Sequence, residues 1–267
     1  MSVKLGMIGG GVMGEALLSR LIAQKVYQPH EAIVSDPLPQ RRDYLSEKYQ
    51  VQVTSDNEAA ASASEVLLLA IKPQVFDAVV AGLPKGETTD QVVLSILAGM
   101  PLSKLEPAFP QQPVIRAMPN TPATVGAGMT AIASGTQVQP RHLEAAKQIL
   151  QAVGDVVEVP ESMMDAVTGV SGSGPGYVAI AIEALTDGGV AAGLPRAIAA
   201  KLALNTVLGT AQLLKETGMH PAELKDRVTS PGGTTIAGIA QLESAGFRSA
   251  LIEAVRKAAQ RSEELGR

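Results

Sequence analysis

The sequence predicts an α/β protein in two parts, an N-terminal doubly wound parallel sheet followed by an all-α half. Three observations predict it. A glycine loop, Gly9-Gly10-Gly11-Val12-Met13-Gly14, joins an apolar run to a helical pattern near the start of the chain. Short apolar runs then alternate with helical segments to about residue 160. Beyond that only helical periodicity remains, so the parts divide as 1–161 and 162–267.

The first part reads as strands at 4–8, 32–35, 51–53, 66–71, 92–97, 114–117, 129–133 and 155–159. Helical segments fall near 12–24, 38–48, 73–81, 101–107 and 140–152. Val66-Leu67-Leu68-Leu69-Ala70-Ile71 is apolar throughout, as a strand covered on both faces should be. Alternating β and α implies a parallel sheet with helices on both sides. In the second part helices run near 176–192, from Pro195 to about 216, from Pro221 to about 228, and near 235–245 and 247–265. Gly193, Gly218 and Pro195 supply stop and start signals. Small residues stud these helices, among them Ala179, Gly188, Gly189, Ala199, Ala203 and Gly209. So few bulky side chains bury little surface in a lone helical domain of this size, which predicts packing against a second copy.

Composition narrows the function classes. Hydrophobic content is 46% with only 3% aromatic residues and no Trp. Cys is absent, which removes disulfides and thiolate metal sites and points to the cytoplasm. Three scattered histidines, His30, His142 and His220, argue against a metal centre. The net charge of −4 without a basic cluster speaks against nucleic acid or an anionic membrane as partner. No uninterrupted apolar run approaches the ~18 residues of a bilayer span. The opening Met1-Ser2-Val3-Lys4 leads straight into the first strand, so no signal peptide is expected.

Two loops carry chemistry. Gly9 to Gly14 fits G-x-G-x-x-G between a strand and a helix, and Asp36 closes the next strand about 20 residues further on. That is the setting of a Rossmann-type dinucleotide site, in which the acid meets a ribose 2′-hydroxyl. Three later loops leave strands at the same rim, and Lys72 and Asn120 are their polar side chains best placed to face a ligand. The other loop, Ser230-Pro231-Gly232-Gly233-Thr234-Thr235, turns into a helix whose first amides have no internal partner. Such a turn binds a small carboxylate or phosphate, with two threonine hydroxyls beside it. Coenzyme choice stays open at this level. Asp36 favours NADH, whereas Arg41 and Arg42 lie close enough to bind the 2′-phosphate of NADPH.

With both loops in view, the chain resembles the pyrroline-5-carboxylate reductase family over essentially its whole length. The resemblance is densest in Asp165–Pro175, in Asp187–Arg196 and in Leu224–Thr235. It implies a Rossmann domain, a helical dimerisation domain, an active site completed across the dimer, and in some members rings of dimers. It implies reduction of 1-pyrroline-5-carboxylate to L-proline with NADPH or NADH. The pyrophosphate would lie on Gly9 to Gly14, with backbone contacts from Gly10, Val12 and Met13. Adenosine-ribose recognition would fall on Ser35 and Asp36, with Asn57 as a further coenzyme contact. Ala70, Lys72, Pro73 and Ala98 match the lining of the nicotinamide end. Ser230, Gly232, Gly233, Thr234 and Thr235 match the substrate-carboxylate site, and the Thr235 hydroxyl matches the group set against the ring nitrogen. The chain departs from the pattern at Gly176, where Ala is usual. It departs again at Gly218, where some relatives place a substrate-linked Glu, and at Arg227, where some have Asn. A β-hydroxyacid dehydrogenase is the enzymatic alternative, although no helical lysine here adjoins a glycine-rich motif. A non-catalytic nucleotide-binding module would keep the first loop and have no need of the second.

Overall fold

A computed structural model describes residues 3–83 and 90–266; Met1 and Ser2, part of the opening read for a leader, lie outside the described residues. The chain forms two compact units, Met1–Ser173 with Lys257–Arg267, and Gly174–Arg256.

In the first unit an eight-stranded sheet has the order β3-β2-β1-β4-β5-β6-β7-β8. Its strands are β1 (Leu5–Ile8), β2 (Ala32–Ser35), β3 (Gln52–Thr54), β4 (Val66–Leu69), β5 (Val92–Ser95), β6 (Val114–Met118), β7 (Gly128–Ser134) and β8 (Gly154–Glu158). Helices α1 (Val12–Ala23), α2 (Pro39–Tyr49), α3 (Asn57–Ala61), α4 (Phe76–Ala81), α5 (Leu102–Leu105), α6 (Pro140–Gln151) and α7 (Met164–Val167) accompany it. The alternation along β4 shows why a continuous apolar run was needed. Val66 and Leu68 join Leu17, Leu21, Ile149 and Leu150 in one core. Leu67 and Leu69 join Phe76, Leu105 and Met164 in the other. Each fully buried leucine contributes about 1.5–3 kcal/mol, so both layers are needed to hold the sheet.

Two expectations change. The sheet is not wholly parallel, because β6 and β7 pair antiparallel, Ile115 opposite Ser134 and Met118 opposite Ala131. Only a single short turn around Thr121–Val125 separates those strands, and a parallel crossover needs a dozen residues or more. The fourth and fifth strands end two residues earlier than expected, at Leu69 and Ser95, and the Ala70 N–H to the Ile8 carbonyl, 2.8 Å, is the last rung that β4 shares with β1.

The second unit is helical: α8 (Gly174–Ala191), α9 (Arg196–Thr217), α10 (Pro221–Arg227), α11 (Thr234–Ser244) and the first half of α12 (Phe247–Gly266). α8 and α9 pack closely at Gly189, where an added Cβ would lie 2.9 Å from the Ala199 Cβ. The connection turns at Gly193 with φ +98° and restarts at Pro195. Much of the apolar surface of α9 is exposed: Ile198, Leu202 and Leu208 are 51%, 54% and 59% exposed. Counting uninterrupted apolar residues therefore missed something. By mean hydropathy α9 reaches 1.3 over an 18-residue window, the one helix among the described residues long and apolar enough to cross a bilayer.

Candidate active site

The glycine loop sits at the carboxyl end of β1, where the chain order reverses between β1 and β4, the usual ligand crevice of such sheets. Gly9 has φ +101°, and an added Cβ would stand 2.4 Å from the Ala70 carbonyl oxygen. A Cβ at Gly14 would stand 2.4 Å from the Gly9 carbonyl oxygen, so glycine lets α1 start tight against the turn. Gly11 is the N-cap of α1, with no side-chain cap, and nothing lies within 4 Å of where its Cβ would be. The first bond within the helix runs from Glu15 N–H to the Gly11 carbonyl, 2.8 Å. The amides of Val12, Met13 and Gly14 therefore have no partner within the helix, and its start is open at Gly11. That cradle fits the pyrophosphate of a dinucleotide.

Around it the predicted residues gather on one rim. Ser35 ends β2 and Asp36 follows it, Ala70 to Pro73 follow β4, Ala98 follows β5 and Asn120 follows β6. Their side chains are differently engaged. Ser35 is buried and donates its hydroxyl to Asn57 Oδ1 at 2.7 Å. Asp36 is only 8% exposed; its Oδ2 accepts from the Gly10 N–H and its Oδ1 from the Leu38 N–H, each at 3.0 Å. Asn120 accepts the Met129 N–H at 3.0 Å and donates to Ser171 Oγ at 3.3 Å, tying its turn to β7 and to the π-turn at Thr168–Gly172. Lys72 and Ala98 are exposed at the rim. The turn at Ala98–Pro101 is anchored from behind: Glu161 accepts the Leu102 N–H at 2.5 Å and pairs with the buried Arg116 at 3.2 Å.

Sequence reasoning missed Glu15. In the first turn of α1 its carboxylate accepts from Tyr49 at 2.7 Å, Tyr44 at 2.9 Å, Lys48 at 3.1 Å and Arg41. Burial alone pushes this carboxyl upward, but those four donors outweigh it and hold its pKa at about 2. Its partners lie 26 to 34 positions away, so no local pattern marks them. The only local signal was an acid in the first turn of a helix.

The second unit holds the other loop. Gly232 has φ +67°, and the Gly233 N–H returns to the Ser230 carbonyl at 3.0 Å, closing the turn. Gly233 is the N-cap of α11 without a side-chain cap, and a Cβ there would meet Ser230 Oγ at 2.3 Å. The first bond within the helix is from the Ala237 N–H to the Gly233 carbonyl, at a long 3.4 Å. The amides of Thr234, Thr235 and Ile236 are thus available to an anion. Thr235 is half-buried, and no bond from either threonine hydroxyl occurs among the described residues. Ser230 and Gly232 are exposed at the mouth of the turn. Arg227, at the end of α10, is paired with Glu223 at 2.7 Å. No group of three or more potential metal ligands exists among the described residues.

Residues 161–265 match the family model for pyrroline-5-carboxylate reductase dimerisation. Residues 4–99 match the model for NADP oxidoreductase, coenzyme F420-dependent. The pyrroline-5-carboxylate reductase of Synechocystis sp. is 66% identical over 267 residues, covering 100% of both chains. Among solved structures, pyrroline-5-carboxylate reductase from Coxiella burnetii has a TM-score of 0.91 at 33% identity, again over 100% of each chain. The Plasmodium falciparum pyrroline carboxylate reductase with NADP bound has a TM-score of 0.89 at 30% identity, covering 99% of this chain and 98% of its own. By identity across its full length, the chain belongs to the pyrroline-5-carboxylate reductase family.

Proposed function

We infer that the chain reduces 1-pyrroline-5-carboxylate to L-proline at the expense of NADPH or NADH, the closing step of proline biosynthesis. The observation that carries this is the uncapped start of α11, where glycines open the backbone and, among the described residues, two threonine hydroxyls stand unpartnered beside free amides. A nucleotide-binding module has no use for that second cradle, and a β-hydroxyacid dehydrogenase, whose substrate also carries a carboxylate, is set apart by the want of a helical lysine beside a glycine-rich motif.

Bound on the first cradle, the reduced nicotinamide supplies the hydride that the C=N carbon accepts. The chain's own residues position and polarise. The amides of Val12, Met13 and Gly14 hold the pyrophosphate, Lys72 reaches the coenzyme ribose, and Ala70, Pro73 and Ala98 line the nicotinamide end. Ser35, Asp36 and Asn57 shape the adenosine side, and Asn120 fixes the turn after β6. Ser230, Gly232, Gly233, Thr234 and Thr235 receive the substrate carboxylate at the dipolar end of α11. Thr235 Oγ1 holds a hydrogen bond at the ring nitrogen as it changes from iminium to amine. An iminium is already electrophilic, so no strong general acid is required and orientation does most of the work.

The functional division we propose, 1–161 for the coenzyme and 162–267 for substrate and assembly, runs close to where the dimerisation model begins. The exposed apolar flank of α9 supports a homodimer or a ring of dimers. It suits a protein partner better than lipid, since Arg196 and Lys201 interrupt it. The lack of Cys fits a cytoplasmic enzyme. The deciding experiment follows coenzyme absorbance with 1-pyrroline-5-carboxylate, and then with hydroxyacids in the oxidative direction. Turnover of the imine alone supports the assignment; turnover of hydroxyacids alone, or of neither, defeats it.

A further inference from the structure

The adenosine 2′ position decides between NADH and NADPH, through an acid that takes the hydroxyl or a cation that takes the phosphate. In this chain the residues around that turn divide the labour in a way the sequence does not reveal. Each Asp36 oxygen already accepts one backbone N–H, Oδ2 that of Gly10 and Oδ1 that of Leu38. Its carboxylate therefore braces the turn after β2 against the glycine loop and is held in place there, carrying a negative charge beside the position a 2′-phosphate would take. Arg41 is also engaged, donating to the Gly10 carbonyl, to the Gly11 carbonyl at 3.4 Å and to Glu15. Glu15 is itself fixed by Tyr44, Lys48 and Tyr49, so Arg41 is held in place from behind.

Arg42 differs. It donates only from Nη1, to the Asp36 carbonyl at 2.7 Å and the Pro37 carbonyl at 3.0 Å. Those two bonds hold the guanidinium beside the turn. Nε–H and Nη2 are left over, and no carboxylate pairs with them among the described residues. A half-buried guanidinium fixed by one nitrogen, with its remaining donors unpaired among the described residues, is well suited to receive a phosphate.

We propose that Arg42 selects the coenzyme by taking the 2′-phosphate of NADPH, while Asp36 and the Glu15–Arg41 pair act as positioning residues that shape the turn. This rests on the glycine loop being the coenzyme cradle, and the test separates the two ideas. Calorimetric titration compares adenosine 2′,5′-bisphosphate with 5′-AMP on the full chain, without any turnover. Wild type should bind the bisphosphate roughly 10- to 100-fold more tightly, the range of a charge-assisted bond to phosphate. Arg42→Gln keeps a donor for the turn carbonyls and loses the charge; it should abolish the preference while 5′-AMP affinity stays within about twofold. Arg42→Lys should restore part of it, and added salt should shrink it. Arg41→Ala should weaken both nucleotides alike, because it loosens the loop they share. Equal binding of the two nucleotides by wild type, or a preference that survives in Arg42→Gln, overturns the proposal and leaves the cradle standing. Failure of wild type to bind either nucleotide or the dinucleotides overturns both.

Discussion

Replacing Thr235 with Ala tests the catalytic assignment cleanly, because the structure separates what that hydroxyl does for the fold from what it does for the reaction. Thr235 is the second residue of α11, whose N-cap is Gly233, so its hydroxyl does not cap the helix. No intramolecular partner exists for it among the described residues. Removing it leaves no buried group unsatisfied, and alanine is the better helix former by up to about 0.7 kcal/mol. Stability should therefore stay within about 0.5 kcal/mol of wild type or rise slightly. Turnover should fall roughly 10- to 100-fold, equivalent to about 1.4–2.7 kcal/mol of transition-state stabilisation from one oriented hydrogen bond. The loss should sit mainly in kcat, because the carboxylate is held by amides that alanine retains. Thr235→Ser should recover most of the rate, and the near-isosteric Thr235→Val should not. The assay is coenzyme oxidation over a range of imine concentration, beside thermal unfolding of each variant. Unchanged kcat in Thr235→Ala would refute the assignment. So would a fall in Tm that tracks the loss of rate, since the hydroxyl would then be structural.

Three further expectations follow from the same geometry. Gly14→Ala places a Cβ 2.4 Å from the Gly9 carbonyl oxygen, where ordinary contact begins near 3.4 Å; α1 must back away from the loop, so coenzyme affinity measured by titration should drop more than about tenfold, at a stability cost of about 1–3 kcal/mol. His142 is 5% exposed, and burial, then the nearby Arg141, hold its pKa below the ordinary value. Its Nδ1 accepts the Gln139 N–H. The unfolded chain thus takes up a proton that the folded chain resists, and stability is lost as pH falls through about 6.5 toward the folded value, with no effect above. Comparing Tm at pH 7.5 and pH 5 should show that loss in wild type and less of it in His142→Asn, which can keep an acceptor for Gln139. Leu202→Glu in the exposed flank of α9 should leave helicity intact and shift sedimentation toward a smaller species, with activity falling alongside.

Much of the fold was legible because a doubly wound sheet writes itself locally. β1, β4 and β5 are short apolar runs, each followed by a rim loop that interrupts the pattern with Gly, Pro or a polar side chain. The antiparallel β6–β7 pair was not legible, since direction depends on the length of a connection and both strands look alike one at a time. The end of β4 at Leu69 was missed for a related reason. Ala70 and Ile71 are as apolar as any strand residue, so nothing in their side chains marks where the ladder ends. At the site, glycine positions could be read directly, because each marks a backbone shape or a close approach that a side chain forbids. The engagement of Asp36 could not. Its spacing announces a ribose acid, yet its oxygens also accept the N–H of Gly10, 26 residues earlier, and that of Leu38. Glu15 was invisible for the same reason: its four donors converge from another helix.

Both cradles are made of the same part, a helix start whose N-cap is glycine and whose amides have no competing side-chain acceptor. Neutral N–H groups keep the same donor strength across the physiological range, unlike histidine or a perturbed lysine. An enzyme that must grip a dinucleotide pyrophosphate and a small carboxylate without general acid catalysis can therefore bind both at constant strength while the medium changes. The measurable consequence is a flat profile. Affinity for L-proline, whose carboxylate stays ionised throughout that interval, should vary less than about twofold between pH 6 and 8.5. Thr235→Val should leave that profile flat, because the hydroxyl does not titrate. A step in affinity within that range would mean that a titrating side chain, absent from both turns, shares the carboxylate, and the account of the second cradle as backbone alone would have to be abandoned.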